Sequence, residues 1–548
     1  MTKKHWLSAY GSIPHEIDPD KYASVVELLD EAMRQFADKP AFCSFGKSLS
    51  YAEVDRLSAA FCAYLQHVHG VTKGDRIAVM TPNIVAFPIA FLGIARAGAV
   101  QVNINPLYTP RELEHQLNDA GCKVIVVFDG SAATLAKVIA KTDVKTVITT
   151  GVGDGIGAAL PSPPLDPALS SSVTLETALD AGAAYERLPV ELSGDDLLFL
   201  QYTGGTTGLS KGAALSHRNL VANTEQFKAF MPDALRPGEE TIVTAIPLYH
   251  IFALMANFIT YFSVGAENWL VANPRDLDDL IHVLKQARPT VFTGVNTLYA
   301  GLTMHPKIGD VDWSRLRLAA GGGSAVQRTT SDRWQAITGN FIREGYGLSE
   351  TSPVLSFSPA FIDTFTGTTG LPLPSTDIKL LDDNGREVAV GELGEVCARG
   401  PQVMRGYWRN PEANSAVFTD DGYFRTGDIG TFDAQGLLKI VDRKKDMIIV
   451  SGFNVYPSEV EAVASAYVGV AECACIGEAD ERTGEAVKLF VVRMPCAELT
   501  EASLIAHCRA QLAAYKVPKS VCFVDALPKS TVGKILRRAL RPCAHGPT

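Results

Sequence analysis

Apolar positions along the chain follow two alternating rhythms. Over residues 24–68, Val25, Leu28, Leu29, Met33 and Phe36 recur at helical spacing, which predicts two amphipathic helices around a short strand pair. Short apolar runs then alternate with helical stretches: Arg76–Met80, a helix over 84–97, a run at 99–103, a helix over 110–120, and Val124–Phe128. The rhythm returns at 241–245, 290–293 and 316–320. Strand, helix, strand at this spacing implies parallel sheet with crossover helices. Residues 241–266 carry no formal charge, long enough for a membrane span. Pro247, His250, Asn257 and Gly265 interrupt them, so a buried strand followed by a core helix is expected instead. Residues 151–184 turn to Gly, Ala, Pro and Ser and predict an exposed connecting loop. Beyond Gly370, alternating runs punctuated by Asp-Asn-Gly and Asp-Asp-Gly predict a small antiparallel barrel or sheet.

Composition narrows the class. The 548 residues, 47% hydrophobic and 20% charged, are an ordinary globular mixture with room for several compact units of about 150 residues. A net charge of -10 argues against a bulk nucleic-acid binder. The last 106 residues differ, with 14 Lys/Arg against 11 Asp/Glu, so a separate, locally basic small domain is expected. The start, Met1 to Trp6, lacks the apolar stretch of a secretory signal, and a cytoplasmic location is expected. The ten cysteines are scattered without a CxxC pair, which makes them packing residues.

The sharpest chemical signal is Tyr202-Thr203-Gly204-Gly205-Thr206-Thr207-Gly208-Leu209-Ser210-Lys211-Gly212, placed after the apolar run 197–200 and before a helical stretch from Asn219. Glycines let backbone N–H groups converge on anionic oxygens, hydroxyls add donors, and a lysine supplies a point charge. The loop reads as a phosphate cradle, although the Gly-Lys-Ser/Thr of the P-loop NTPases is absent.

Here the chain resembles the adenylate-forming superfamily of acyl-CoA synthetases, peptide-synthetase adenylation domains and luciferases. Four further segments carry the resemblance in family order: Tyr346-Gly347-Leu348-Ser349-Glu350-Thr351; Tyr423-Phe424-Arg425-Thr426-Gly427-Asp428; Asp442-Arg443-Lys444-Lys445-Asp446 with Ser451-Gly452-Phe453; and Pro528-Lys529-Ser530-Thr531-Val532-Gly533-Lys534. The resemblance implies an α/β fold. A large N-terminal AMP-binding domain (1–442) of parallel αβ-layered sheets plus a small β-barrel precedes a small mobile C-terminal α+β domain (443–548), hinged near Lys445.

It also implies roles, residue by residue. Lys534, Lys211, Glu350 and His250 are catalytic; for His250 a packed, hydrogen-bonded core histidine is the competing reading. ATP and AMP are bound by Thr203, Gly204, Gly205, Thr206, Thr207, Gly208, Lys211, Gly322, Gly323, Ser324, Glu344, Gly345, Tyr346, Gly347, Ser349, Asp428, Arg443 and Lys534. Glu350 and Thr203 hold Mg2+, a hard cation suited to oxygen ligands. His250, Val295 and Gly323 border the acyl pocket, and Gly452 and Phe453 the CoA entry.

The segments at 294–298, 105–112 and 441–457 look most like bacterial long-chain fatty acid–CoA ligases, with fatty acid, ATP and CoA as reactants. Competing expectations are a medium-chain or aryl acid–CoA ligase, and turnover of cis-2-unsaturated fatty-acid signals. A homodimer and a peripheral contact with the inner membrane face are left open.

Overall fold

The computed structural model describes residues 4–158, 160–203, 210–494, 497–530 and 533–541. Two large sheets form its centre. One runs, in spatial order, Val173–Thr174, Thr146–Thr150, Val124–Phe128, Arg76–Met80, Val100–Asn103, Leu197–Thr203 and Lys211–Ser216. The first six strands are parallel and the last is antiparallel. The second has nine strands, with six parallel ones in its middle: Ile342–Gly347, Leu318–Gly321, Val291–Gly294, Thr241–Thr244, Glu267–Leu270 and Pro40–Ser44. Helices cover these strands, which explains why they read as unbroken apolar runs such as Val124–Phe128. In open parallel sheets the loops beyond the carboxyl ends of the strands hold ligands, and Thr203, Val295, Gly322 and Tyr346 lie at or just beyond such ends.

The first two helices begin where their sequence directs. Ser24 caps Val25–Gln35 by accepting from Glu27 N–H. Ser50 and Glu53 form a capping box on Tyr51–His69, which stops at Gly70 in the left-handed region. The stretch 151–184 departs from the expected loop. It contains the strand Val173–Thr174 and the helix Leu175–Gly182, which buries Leu175, Ala178, Leu179 and Gly182. A Cβ on Gly182 would lie 2.0 Å from Ala60 O, so glycine here permits close approach of two helices, and the Gly signal marks packing rather than a turn.

The charge-free segment forms the strand Thr241–Thr244 and a wholly buried π-helix, Ala253–Thr260. Its polar Asn257 is consumed internally: Nδ2 donates to Thr244 Oγ1 at 3.0 Å and Oδ1 accepts from Thr293 Oγ1 at 2.9 Å. Among the described residues no helix is long and apolar enough to cross a membrane. The eight described cysteines are unpaired and seven are buried.

Beyond Gly370 an antiparallel sheet runs Asp377–Leu381, Gly394–Arg399, Phe424–Phe432, Leu438–Arg443. Its two outer strands are the ends of the hydrogen-bonded order, so the layer is an open sheet rather than a closed barrel. The last layer is a five-stranded sheet, Phe453–Val455, Ile448–Val450, Gly484–Arg493, Val470–Asp480 and Ser520–Phe523, packed with the helices Pro457–Ser465 and Glu501–Gln511. Val455, Val460, Leu489 and Leu504 belong to a core of its own. The chain changes sheets within residues 444–447, around Lys445.

Candidate active site

Strand Leu197–Thr203 leads into the glycine-rich loop, and Thr203 pairs with Lys211 at the start of the antiparallel strand Lys211–Ser216. The two strands that flank the loop are thus antiparallel neighbours. The helix expected soon after it begins at His217, capped by Ser216, only after that strand. The helical stretch expected from Asn219 is present and starts two residues earlier. Gly204, Gly205, Thr206, Thr207 and Gly208 lie outside the described residues. Helix Pro110–Ala120 grips both flanks, with His115 Nε2 donating to Ser210 O at 3.0 Å and Tyr202 OH donating to Asp119.

Lys211 Nζ stands 5.3 Å from the centre of the Tyr407 ring. The Tyr407 hydroxyl donates to Glu350 Oε1 at 2.8 Å, and burial together with this carboxylate pushes the phenol well above its usual range. Glu350 is buried beside Ser349 in a single 3-10 turn, its carbonyl held by Met404 N–H at 2.8 Å. Among the described residues no group of three or more His, Cys, Asp or Glu could hold a metal ion. One carboxylate and nearby hydroxyls suit Mg2+ only where phosphate oxygens and water complete its shell.

Asp428 is buried, with Oδ2 accepting from Tyr346 OH at 2.8 Å and Oδ1 3.4 Å from Arg443 Nε. Burial raises its pKa against the opposing pull of Arg443, Tyr346, Lys534 and Lys445. Lys534 arrives from the far end of the chain. Gly533, next to it, is anchored by Thr297, whose hydroxyl donates to Gly533 O at 3.0 Å. The Lys534 N–H donates to Ser530 Oγ at 3.1 Å; Thr531 and Val532 lie outside the described residues.

The lysine tip lies over Gly323. A Cβ there would meet Lys534 Cε at 3.2 Å and Val295 Cγ1 at 3.7 Å, and φ of +76° already favours glycine. Enclosure, reinforced by Arg443 and opposed by Asp428 and Glu350, brings the Lys534 pKa down to about 8. His250 is pushed down to about 3 by burial and then by Lys534, so its imidazole is neutral. Its Nδ1 accepts from Phe252 N–H at 3.3 Å, which leaves the proton on Nε2. The arrangement gathers Lys534, His250, Val295, Gly323, Glu350, Asp428 and Arg443 at one place: a desolvated cation and a neutral donor among groups able to hold a polyanion.

Other expected residues lie around this place or on the small unit. Glu344 turns inward, its Oε1 accepting from Val326 N–H at 2.8 Å, and burial raises it to about 8. It thereby fixes Val326, two residues beyond the turn at Gly321–Ser324. Gly345 and Gly347 lie in the adjoining strand Ile342–Gly347, and Gly322 and Ser324 in the turn itself. Gly452 is an open turn residue, and Phe453 stacks on Tyr515 at 4.9 Å within the small unit. Burial and Arg443 lower the Lys445 pKa.

Sequence reasoning missed Tyr407, Thr297 and Phe252. Tyr407 is placed by bridging to Ala213, and Thr297 by Gly533, both remote in the chain. Phe252 sets its ring against Gly322, where a Cβ would be 3.3 Å from it.

The AMP-binding enzyme family model matches residues 29–408, and the AMP-binding enzyme C-terminal domain matches residues 459–534. A long-chain-fatty-acid–CoA ligase of Salmonella typhimurium is 49% identical over 99% of both chains. ATP-bound MatB from Rhodopseudomonas palustris superposes with a TM-score of 0.83 at 32% identity, over 95% of this chain and 99% of that one. The anthranilate CoA ligase AuaEII in complex with anthranoyl-AMP superposes with a TM-score of 0.87 at 25% identity, over 96% and 99% of the two chains.

Proposed function

The chain belongs to the AMP-binding enzyme family, and from that premise we propose that it activates a long-chain fatty acid as its adenylate and then transfers the acyl group to CoA. Use of ATP and CoA comes with the family. In the first step a carboxylate oxygen bonds to the α-phosphorus and the bond to diphosphate breaks. In the second the CoA thiol, giving up its proton, bonds to the acyl carbon and AMP leaves. The sum is acyl-CoA, AMP and diphosphate.

The observation that carries the reading is Lys534, brought from the tail to Gly323, His250, Asp428 and Glu350. Two unit negative charges about 4 Å apart repel by roughly 4 kcal/mol at an effective dielectric of 20. A lysine cation between carboxylate and phosphate offsets that term where it is largest. Neutral His250 offers Nε2–H to the same carboxylate without adding charge. Asp428 is assigned to the ribose hydroxyls and Arg443 to ribose and phosphate. Glu350, with Thr203, is assigned to Mg2+, which when bound neutralises phosphate charge. Residues 1–442 and 443–548 are taken as the two domains, with Lys445 as pivot and Gly452 and Phe453 at the CoA entry.

The apolar segment 241–266 and the name of the full-length relative support long-chain acids over medium-chain or aryl ones. Purified protein given ATP, Mg2+, CoA and a panel of acids should release AMP and diphosphate, with kcat/KM highest for long chains. ADP and orthophosphate as products would refute the chemistry; an optimum on benzoates or octanoate would refute the substrate class.

A further inference from the structure

Asp442 is the last residue before Arg443 and still belongs to the large unit: in the strand Leu438–Arg443 it pairs with Ile429, and Arg443 pairs with Asp428. Its side chain is 2% exposed, yet most of its partners come from beyond Lys445. Oδ2 accepts from Ser458 N–H at 2.8 Å and Ser458 Oγ at 2.7 Å, and Oδ1 from Arg537 Nη1 at 3.0 Å. The bond from Arg443 N–H, at 2.8 Å, comes from the same side of Lys445 as Asp442 itself.

Arg537 is fixed in the small unit independently. Its Nε and Nη2 grip Glu461 at 3.0 and 2.8 Å, Nη1 lies 3.6 Å from Asp446, and Glu461 also accepts from Cys475 N–H at 2.7 Å. Ser458 opens the helix Pro457–Ser465, whose positive N-terminal end favours a carboxylate. The small unit thus presents a rigid set of donors, and the large unit inserts one buried anion into it. Lys534 lies three residues before Arg537, so the same clamp fixes the segment that delivers the lysine.

We propose that Asp442 is a positioning residue that holds the small unit in the adenylating pose. The inference rests on the reading of Lys445 as pivot. A rotation there parts Asp442 from Ser458 and Arg537 while leaving Arg537 with Glu461 and Asp446, since those three lie on one side. The contacts of Asp442 therefore stabilise one pose and not the other, and only such a differential interaction can bias the equilibrium.

The test compares the half-reactions. In Asp442→Ala, fatty-acid-dependent ATP–diphosphate exchange should fall about tenfold, while single-turnover transfer from supplied acyl-adenylate to CoA stays within about twofold. Tryptic cleavage at Arg443, Lys444 and Lys445 should quicken, a change that a loss of core packing elsewhere would not produce selectively. Ser458→Ala removes one hydroxyl and leaves the ion pair, so it should show the same split at about threefold and serves if Asp442→Ala fails to fold. Equal loss of both half-reactions, or unchanged exchange, overturns the proposal. Wild-type protein run alongside separates the two readings: if it performs neither half-reaction, the proposed function fails first.

Discussion

On the proposed assignment, the protonation of Lys534 sets the first step. With its pKa brought down to about 8 by enclosure and Arg443, the free enzyme carries mostly the cation at pH 7 and mostly the neutral amine at pH 9. If the cation is what reconciles carboxylate and phosphate, kcat/KM for adenylation falls as pH rises through about 8, because that ratio reports groups in the free enzyme. The transfer of a preformed acyl group to CoA lacks this limb if Lys534 has left the site. A pH–rate profile of ATP–diphosphate exchange beside one for thioester formation checks both; an alkaline limb of equal position in the two would contradict the assignment. His250 adds no inflection between pH 5 and 9, since burial and Lys534 keep it neutral down to about 3.

At the level of elements, the turn that follows strand Leu318–Gly321 is as important as the charged groups around it. Gly323→Ala forces a left-handed Ala, costing about 1 kcal/mol, and sets a Cβ 3.2 Å from the Lys534 methylene. Fatty-acid-dependent exchange should drop about tenfold, measured on a variant whose melting temperature is within a few degrees of wild type; unchanged exchange would show that the lysine does not need this turn. The parallel strands and their crossover helices were legible because both faces are buried and the apolar runs are unbroken, as in Arg76–Met80 and Val124–Phe128. Helix Leu175–Gly182 was not, since its buried face uses Ala178 and Gly182, small residues that compositional reading assigns to loops. The strand Lys211–Ser216 was hidden likewise by Gly212, Ala213 and Ala214. Candidate residues in dense local motifs, such as Glu350 and Asp428, stand out in the sequence, and the structure brings them near Lys534. Tyr407 and Thr297 owe their positions to partners 194 and 236 residues away, Ala213 and Gly533, and no local pattern announces such pairs.

At the scale of the whole molecule, the site is assembled from two bodies. The large one supplies Glu350, Asp428, His250 and the glycine turn, and the small one contributes Lys534 through a loop seated on Thr297. Gly452 and Phe453 lie elsewhere on the small body, in a turn whose Ser451 N–H binds Thr483 O at 2.8 Å. One placement of that body presents the lysine, and a different one must present the CoA-side turn if both serve a single reacting carbon. The most direct measurement is therefore Lys534→Ala assayed in both half-reactions. Loss of a term of roughly 4 kcal/mol predicts a fall of about three orders of magnitude in acyl-adenylate formation, with thioester formation from supplied acyl-adenylate largely retained. Equal loss of both steps would contradict the account.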